Sequence, residues 1–182
     1  MPKFAANLSM MFTEYDFCDR FEAAASCGFK AVEFLWPYDY EISELRQILK
    51  ETKLKIALFN TNAGDINAGQ WGRAALPNCE AQALDDFNMA LEYAKALNCK
   101  TVHIMAGVIL NGDDGREYRR TLLKNLTIAA PLFAKAGITM TLEALCPKIK
   151  QNYLYKSQYQ TLDIVEELKL KNLKVQIGRA HV

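Results

Sequence analysis

The chain has 182 residues, of which 51% are hydrophobic and 24% are charged, and these values exclude a disordered, collagenous or low-complexity protein. Its 22 basic and 21 acidic residues leave a formal net charge of +1, which argues against nucleic acid or an anionic membrane surface as a partner. Since no apolar run reaches the ~18 residues of a membrane span and no signal-peptide pattern opens the chain, we expect a cytoplasmic protein.

Short apolar runs alternate with helical stripes along the whole chain. In order they predict a strand over 3–8, a helix ending at Gly28, a strand over 31–35, a helix over 41–52, a strand over 54–59 and a long loop over 60–78. Next come a helix over 80–97, a strand over 101–105, a helix over 116–136 kinked at Pro131 and a strand over 138–143. A helix with Tyr159, Leu162, Val165 and Leu168 on its inner face and a strand over 173–177 complete the pattern.

This alternation of strand and helix predicts a parallel sheet with right-handed crossovers. Two architectures fit it, an open doubly wound sheet and a (β/α)8 TIM barrel. The Gly-rich dinucleotide-binding fingerprint that would favour a doubly wound sheet is missing from the sequence. The spacing of the strands along the chain matches that of a barrel, whose eight units need ~250 residues. We therefore expect an α/β chain that holds about the first five and a half to six units of a barrel. Five scattered cysteines without a C-x-x-C pair argue against a disulfide framework or a zinc ribbon.

Polar side chains stand near the end of each predicted strand, where parallel α/β folds place their active sites. They are Asn7, Glu33, Asn60, His103, Glu143 and Gln176. A single histidine in a strand is usually a satisfied core residue, and Glu33 alone is explained by an ion pair with a nearby cation. Glu143 ends an apolar strand and is poorly explained as solvated surface, and His103 holds the same relative place one strand earlier. Together these two favour metal binding or proton transfer.

The loop over 60–78 is long for a compact domain, and such loops are often functional. It combines hydrogen-bonding groups, glycines, Trp71 and Arg73, which suits a lid over a small anion. An ordered surface loop with Trp71 packed on the rim fits the composition equally well. Both interpretations stay open.

Several segments keep a characteristic order and spacing from residue 2 to about residue 176. They are 4–12, 31–35, 58–61, 64–69, 102–107 and 142–145, with Tyr153-Leu154 and Ser157-Gln158-Tyr159-Gln160. In these segments the chain resembles the hydroxypyruvate isomerase family of xylose isomerase-like TIM barrels. The resemblance implies interconversion of hydroxypyruvate and 2-hydroxy-3-oxopropanoate through an enediolate, with a divalent metal, Mg²⁺ or Mn²⁺, polarising the carbonyl.

The resemblance also implies roles for particular residues of this chain. Glu143 matches one of the family's two acid/base glutamates and belongs to its metal site. His103 and Asn60 would bind the substrate, a small 2-oxo or hydroxy acid. Trp71 and the loop over 64–69 would close over that substrate.

The last residues depart from the family pattern. The family has a metal-binding Asp after strand six, where this chain has Gly178. In the family, strands seven and eight supply a second acid/base Glu and a metal-binding Gln. We therefore expect residues 1–177 to form an incomplete barrel with an incomplete metal site. Residues 178–182 are expected to be sequencing-adapter read-through, with no function for His181. A polypeptide ending at Val182 should then be inactive and fold poorly, and soluble material with measurable turnover would contradict this.

Three alternatives stay open. A 2-oxo-tetronate isomerase would perform the same chemistry on a substrate with an extra carbon, and rates measured side by side separate the two. A catalytically dead half-barrel would serve as a binding module. A DNA-cutting barrel of the AP-endonuclease type is disfavoured by the net charge of +1 and by the single histidine of the barrel. The sequence does not reveal the identity of the metal, the oligomeric state or the pathway.

Overall fold

The computed structural model describes residues 2–110 and 112–177, so the expectations for residues 178–182 fall outside it. Within these ranges the strands are β1 (Ala6–Asn7), β2 (Ala31–Phe34), β3 (Lys55–Asn60), β4 (Thr101–His103), β5 (Thr139–Glu143) and β6 (Leu173–Gln176). The helices are α1 (Asp19–Ser26), α2 (Ile42–Thr52), α3 (Glu80–Ala96), α4 (Gly115–Lys135) and α5 (Gln158–Leu168). Strands and helices alternate as predicted.

The strands form one sheet in which each strand pairs in parallel with the next strand along the chain. A doubly wound sheet reverses its strand order at a switch point, whereas a barrel adds every strand on the same side. The observed order, β1 to β6 without reversal, therefore confirms the barrel prediction. Among the described residues β1 pairs only with β2 and β6 only with β5.

Side-chain caps fix where the last two helices begin. The Asp114 carboxylate accepts a hydrogen bond from the backbone N–H of Arg116 at 2.9 Å at the start of α4. Ser157 and Gln160 form a reciprocal capping box at the start of α5. Helix α4 continues through Pro131 to Lys135, so the proline does not end it.

The inner face of α5 differs from the prediction. The sequence pattern placed Tyr159 and Leu162 towards the core, but their side chains are 80% and 41% exposed. Thr161 and Ile164 are buried instead. A threonine can occupy this core position because its Oγ1 donates to the carbonyl of Gln158 at 2.9 Å and leaves no unsatisfied polar atom.

The core lies between the sheet and the helices that pack on it. Its buried members include Val32, Phe59, Val102 and Met140 from the strands and Phe21, Leu45, Phe87 and Phe133 from the helices. All the cysteines are free thiols. No helix in the described part of the chain has the length and apolar character needed to cross a membrane. This packing holds the carboxyl ends of the strands at one edge of the sheet, where the polar residues stand.

Candidate active site

The polar residues predicted at the strand ends meet at one end of the sheet. Asn7, Asn60, His103, Glu143 and Gln176 are the last residues of β1, β3, β4, β5 and β6, and Glu33 is the last but one of β2. Parallel pairing sets Asn60 beside His103 and Glu143 beside Gln176. All of these except His103 line a cavity of about 660 Å³. The topology therefore assembles them into one site.

Glu143 is the carboxyl group at the centre of this site. Its Oε2 accepts a hydrogen bond from Gln176 Nε2 at 3.2 Å and lies 3.8 Å from His103 Nδ1. Thr141 Oγ1 donates to Gln176 Oε1 at 2.8 Å, which turns the amide N–H towards Glu143. Burial, reinforced by the negative charge of Glu33, raises the pKa of Glu143 to about 7. Such a carboxyl group can both accept and return a proton near neutral pH.

His103 lies behind Glu143, and its side chain is almost completely buried. Its Nδ1 is 3.2 Å from Asn60 Oδ1, and Asn60 Nδ2 donates to Met105 Sδ at 3.7 Å. Because the Asn60 oxygen can only accept, Nδ1 of His103 carries the hydrogen. Burial lowers the pKa of His103 to about 4, so the ring is neutral at physiological pH. Its Nε2 has no hydrogen-bond partner among the described residues.

The structure brings Asn60, His103 and Glu143 together and sets Trp71 one layer further out. The Trp71 ring meets the Trp36 ring edge-on, with centroids 6.5 Å apart. The indole N–H of Trp36 donates to Met105 Sδ at 3.3 Å, and this sulfur is the one that Asn60 contacts. Trp71 is thus connected to Asn60 through Trp36 and Met105, and it does not line the 660 Å³ cavity. The substrate-binding roles of His103, Asn60 and Trp71 and the closing of the loop stay predictions.

Sequence reasoning gave no role in the site to three aromatic residues that support it. One is Trp36, which follows β2 after a single residue. The others are Tyr153 and Tyr155, both completely buried, with the Tyr153 hydroxyl accepting from the backbone N–H of Ala106 at 2.9 Å. Burial raises the pKa of both tyrosines, and the charge of Glu143 adds to the shift. The spacing of two between the tyrosines, typical of an extended segment with one buried face, was the available signal.

The described residues do not by themselves make a metal site. Among them no group of three or more His, Cys, Asp or Glu side chains is arranged to hold an ion. Glu143 offers one carboxylate, and the nitrogen of His103 nearest to it carries a hydrogen and cannot coordinate.

The raised pKa of Glu143 predicts a pH dependence of stability. The unfolded chain loses this proton near its ordinary pKa, but the folded chain keeps it up to about pH 7. Stability is therefore lost as pH rises through that window, by up to about 3 kcal/mol. Glu143→Gln removes this loss, so the variant should match the unmodified protein near pH 4.5 and exceed it at pH 8. Urea unfolding in chelator at both pH values measures the difference, and parallel pH profiles would contradict the prediction.

Comparison with known proteins identifies the family of this chain. Residues 21–182 match the model of the xylose isomerase-like TIM barrel. The chain is 53% identical over 181 residues to a 2-oxo-tetronate isomerase of Haemophilus influenzae and 38% identical over 182 residues to a hydroxypyruvate isomerase of Escherichia coli. In both comparisons the match covers 100% of this chain and 70% of the relative.

Solved structures share the fold of this chain. A Brucella melitensis protein described as an AP endonuclease of family 2 is 39% identical, with a TM-score of 0.94 over 97% of this chain and 68% of its own. A D-psicose 3-epimerase of Clostridium cellulolyticum shares the fold, with a TM-score of 0.77 at 16% identity over 97% of this chain and 63% of its own. From its sequence relatives and its sheet, the chain belongs to the xylose isomerase-like TIM barrel family and is an isomerase of that family.

Proposed function

We propose that this isomerase moves the carbonyl group of a small 2-oxo or hydroxy acid by one carbon, with Glu143 carrying the proton. The observation that supports this most directly is the Glu143 carboxyl, held by Gln176 at the wall of the cavity with a pKa of about 7. A group with that pKa populates both its base and its acid form at neutral pH. Proton abstraction and proton return both need these forms.

The reaction is a balanced proton transfer. The Glu143 carboxylate takes a proton from the carbon next to the substrate carbonyl, and the C–H electrons form the double bond of an enediolate. The same carboxyl group can return the proton to the former carbonyl carbon, and the hydroxyl proton passes from the oxygen of the deprotonated carbon to the former carbonyl oxygen, so the carbonyl re-forms one position along. No oxidant or co-substrate is consumed. Gln176 holds the carboxyl group in place through its amide N–H, so that the oxygen that reacts keeps one position.

The names of the relatives suggest two candidate substrates, and the sequence identities rank one above the other. Three 2-oxo-tetronate isomerases match at 53%, 49% and 44% identity, and the hydroxypyruvate isomerase of Escherichia coli matches at 38%. We therefore propose a 2-oxo-tetronate as the preferred substrate. Hydroxypyruvate, the first expectation from the sequence, is the second candidate.

Rates on the two acids test the proposal. The full-length product of the source gene is assayed for kcat/KM on a 2-oxo-tetronate and on hydroxypyruvate under the same conditions. We expect the four-carbon acid to be preferred by at least about 10-fold, since one extra carbon in a fitted site is worth 1–3 kcal/mol. A preference for hydroxypyruvate would overturn the order of substrates. Absence of turnover on both acids, with binding retained, would favour the binding module instead.

We also propose that Glu143 supplies one carboxylate ligand to Mg²⁺ or Mn²⁺. Carboxylate oxygen suits either ion, and the remaining ligands would come from beyond the described residues. Dialysis against chelator followed by addition of each ion, within the same assay, tests this ligand role. Activity that is unchanged after chelation would contradict it. The inactivity of a polypeptide ending at Val182 stays a prediction.

A further inference from the structure

Lys150 links two of the loops that follow the carboxyl ends of the strands. Lys150 stands in the segment after β5, and Trp71 stands in the segment after β3. The Lys150 Nζ lies 5.0 Å from the centroid of the Trp71 ring, within the range of a cation–π contact. Both loops leave the carboxyl ends of their strands, so the ammonium group lies at the same end of the sheet as Glu143.

The ammonium group of Lys150 has no anionic partner in the described part of the chain. None of the ion pairs among those residues includes it. Two arginines near the strand ends are engaged: Arg73 donates two hydrogen bonds to the Asp86 carboxylate, and Arg20 donates to the backbone carbonyls of Tyr15 and Leu8. The other lysines of the loop after β5, Lys148 and Lys156, are exposed. Lys150 is also half-buried, as expected for a side chain that packs on Trp71.

Side-chain contacts connect this lysine to the acid/base group. Trp71 packs edge-on against Trp36, and Trp36 and Asn60 both donate to Met105 Sδ. Asn60 in turn contacts His103, the neighbour of Glu143. These contacts link Trp71, on which the Lys150 ammonium group lies, to the residues around Glu143.

We propose that Lys150, seated on Trp71, binds the carboxylate of the substrate. The inference rests on the proposed function, because both candidate substrates carry that carboxylate. Glu33 and Glu143 repel a second negative charge from the cavity that they line, whereas Lys150 offers a positive charge on the loop after β5, at the same end of the sheet. The substrate is then oriented with its reacting carbons towards Glu143.

Variants at Lys150 test the proposal in the full-length gene product. Lys150→Met keeps the packing on Trp71 and removes the charge, Lys150→Arg keeps both, and Lys148→Met is the matched control at an exposed lysine of the same loop. We expect Lys150→Met to raise KM about 10- to 100-fold with kcat nearly unchanged, the range for losing a hydrogen bond to a charged group. Lys150→Arg should restore KM. An unchanged KM in Lys150→Met, or an equal rise in Lys148→Met or Lys156→Met, would overturn the proposal.

A binding measurement separates this proposal from the proposed function. Lactate, an acid that this reaction cannot isomerise, is titrated by calorimetry, with neutral lactamide as the matched probe. Lactate should bind about 10-fold or more weakly to Lys150→Met, and lactamide should not distinguish the variants. If this holds while no acid is turned over, the carboxylate site stands and the isomerase proposal fails. If turnover is normal and lactate binds all variants equally, the isomerase proposal stands and the Lys150 site fails.

Discussion

Glu143→Gln is expected to lower kcat about 1,000-fold on whichever acid the protein isomerises, within the usual range for loss of a general acid/base. The amide has nearly the shape of the carboxyl but cannot accept the proton. The hydrogen bonds that hold it need only a rotated amide, because Gln176 can donate to its oxygen as it does to Glu143. KM should change less than kcat. Steady-state kinetics on the full-length gene product, with the fold checked by circular dichroism, measure both quantities.

Glu33→Gln is the matched control for this prediction. Glu33 lines the same cavity and accepts a hydrogen bond from Asn7 Nδ2 at 2.9 Å, which a glutamine oxygen can also accept. The exchange removes a carboxyl group from the same cavity and leaves Glu143 in place, so kcat should fall far less. Comparable losses in the two variants, or a Glu143→Gln variant with kcat near that of the unmodified protein, would contradict the role given to Glu143.

The placement of the site could be predicted from sequence because it depends on strand polarity alone. Once the chain is understood as parallel strands joined by helices, every strand end lies at one edge of the sheet. Asn60, His103 and Glu143 end consecutive strands, so their proximity follows from topology. The pairing registers that set Asn60 beside His103 bear this out.

The surroundings of these residues could not be predicted in the same way. Trp36 contacts Met105, which is 69 positions away in the sequence, and Lys150 contacts Trp71 across a similar span. Such contacts depend on the paths of the loops, which the periodicity of hydrophobic residues does not encode. The inner face of α5 was missed because a threonine satisfied by its own helix serves as a core residue there, and hydrophobicity alone does not identify it.

Gly72→Ala is expected to destabilise the protein by about 3 kcal/mol or more, because strain and overpacking add at this position. Gly72 has a φ of +102°, which residues with a Cβ rarely adopt. A Cβ built there would stand 2.1 Å from the carbonyl oxygen of Met105 and 2.4 Å from its carbonyl carbon. These are backbone atoms next to the Gly72–Ala106 bridge, so the loop must move as a unit.

Gly69→Ala separates the clash from the backbone strain. Gly69 lies in the same loop with a φ of +83°, but a Cβ there meets nothing within 4 Å, so only the conformational cost of ~1 kcal/mol is expected. Urea unfolding of both variants gives the comparison, and equal losses would contradict the close approach of Gly72 to Met105. Because Trp71 precedes Gly72 and Met105 contacts both Trp36 and Asn60, the displacement in Gly72→Ala should also disturb these contacts. Activity should therefore fall in Gly72→Ala even where the variant is fully folded.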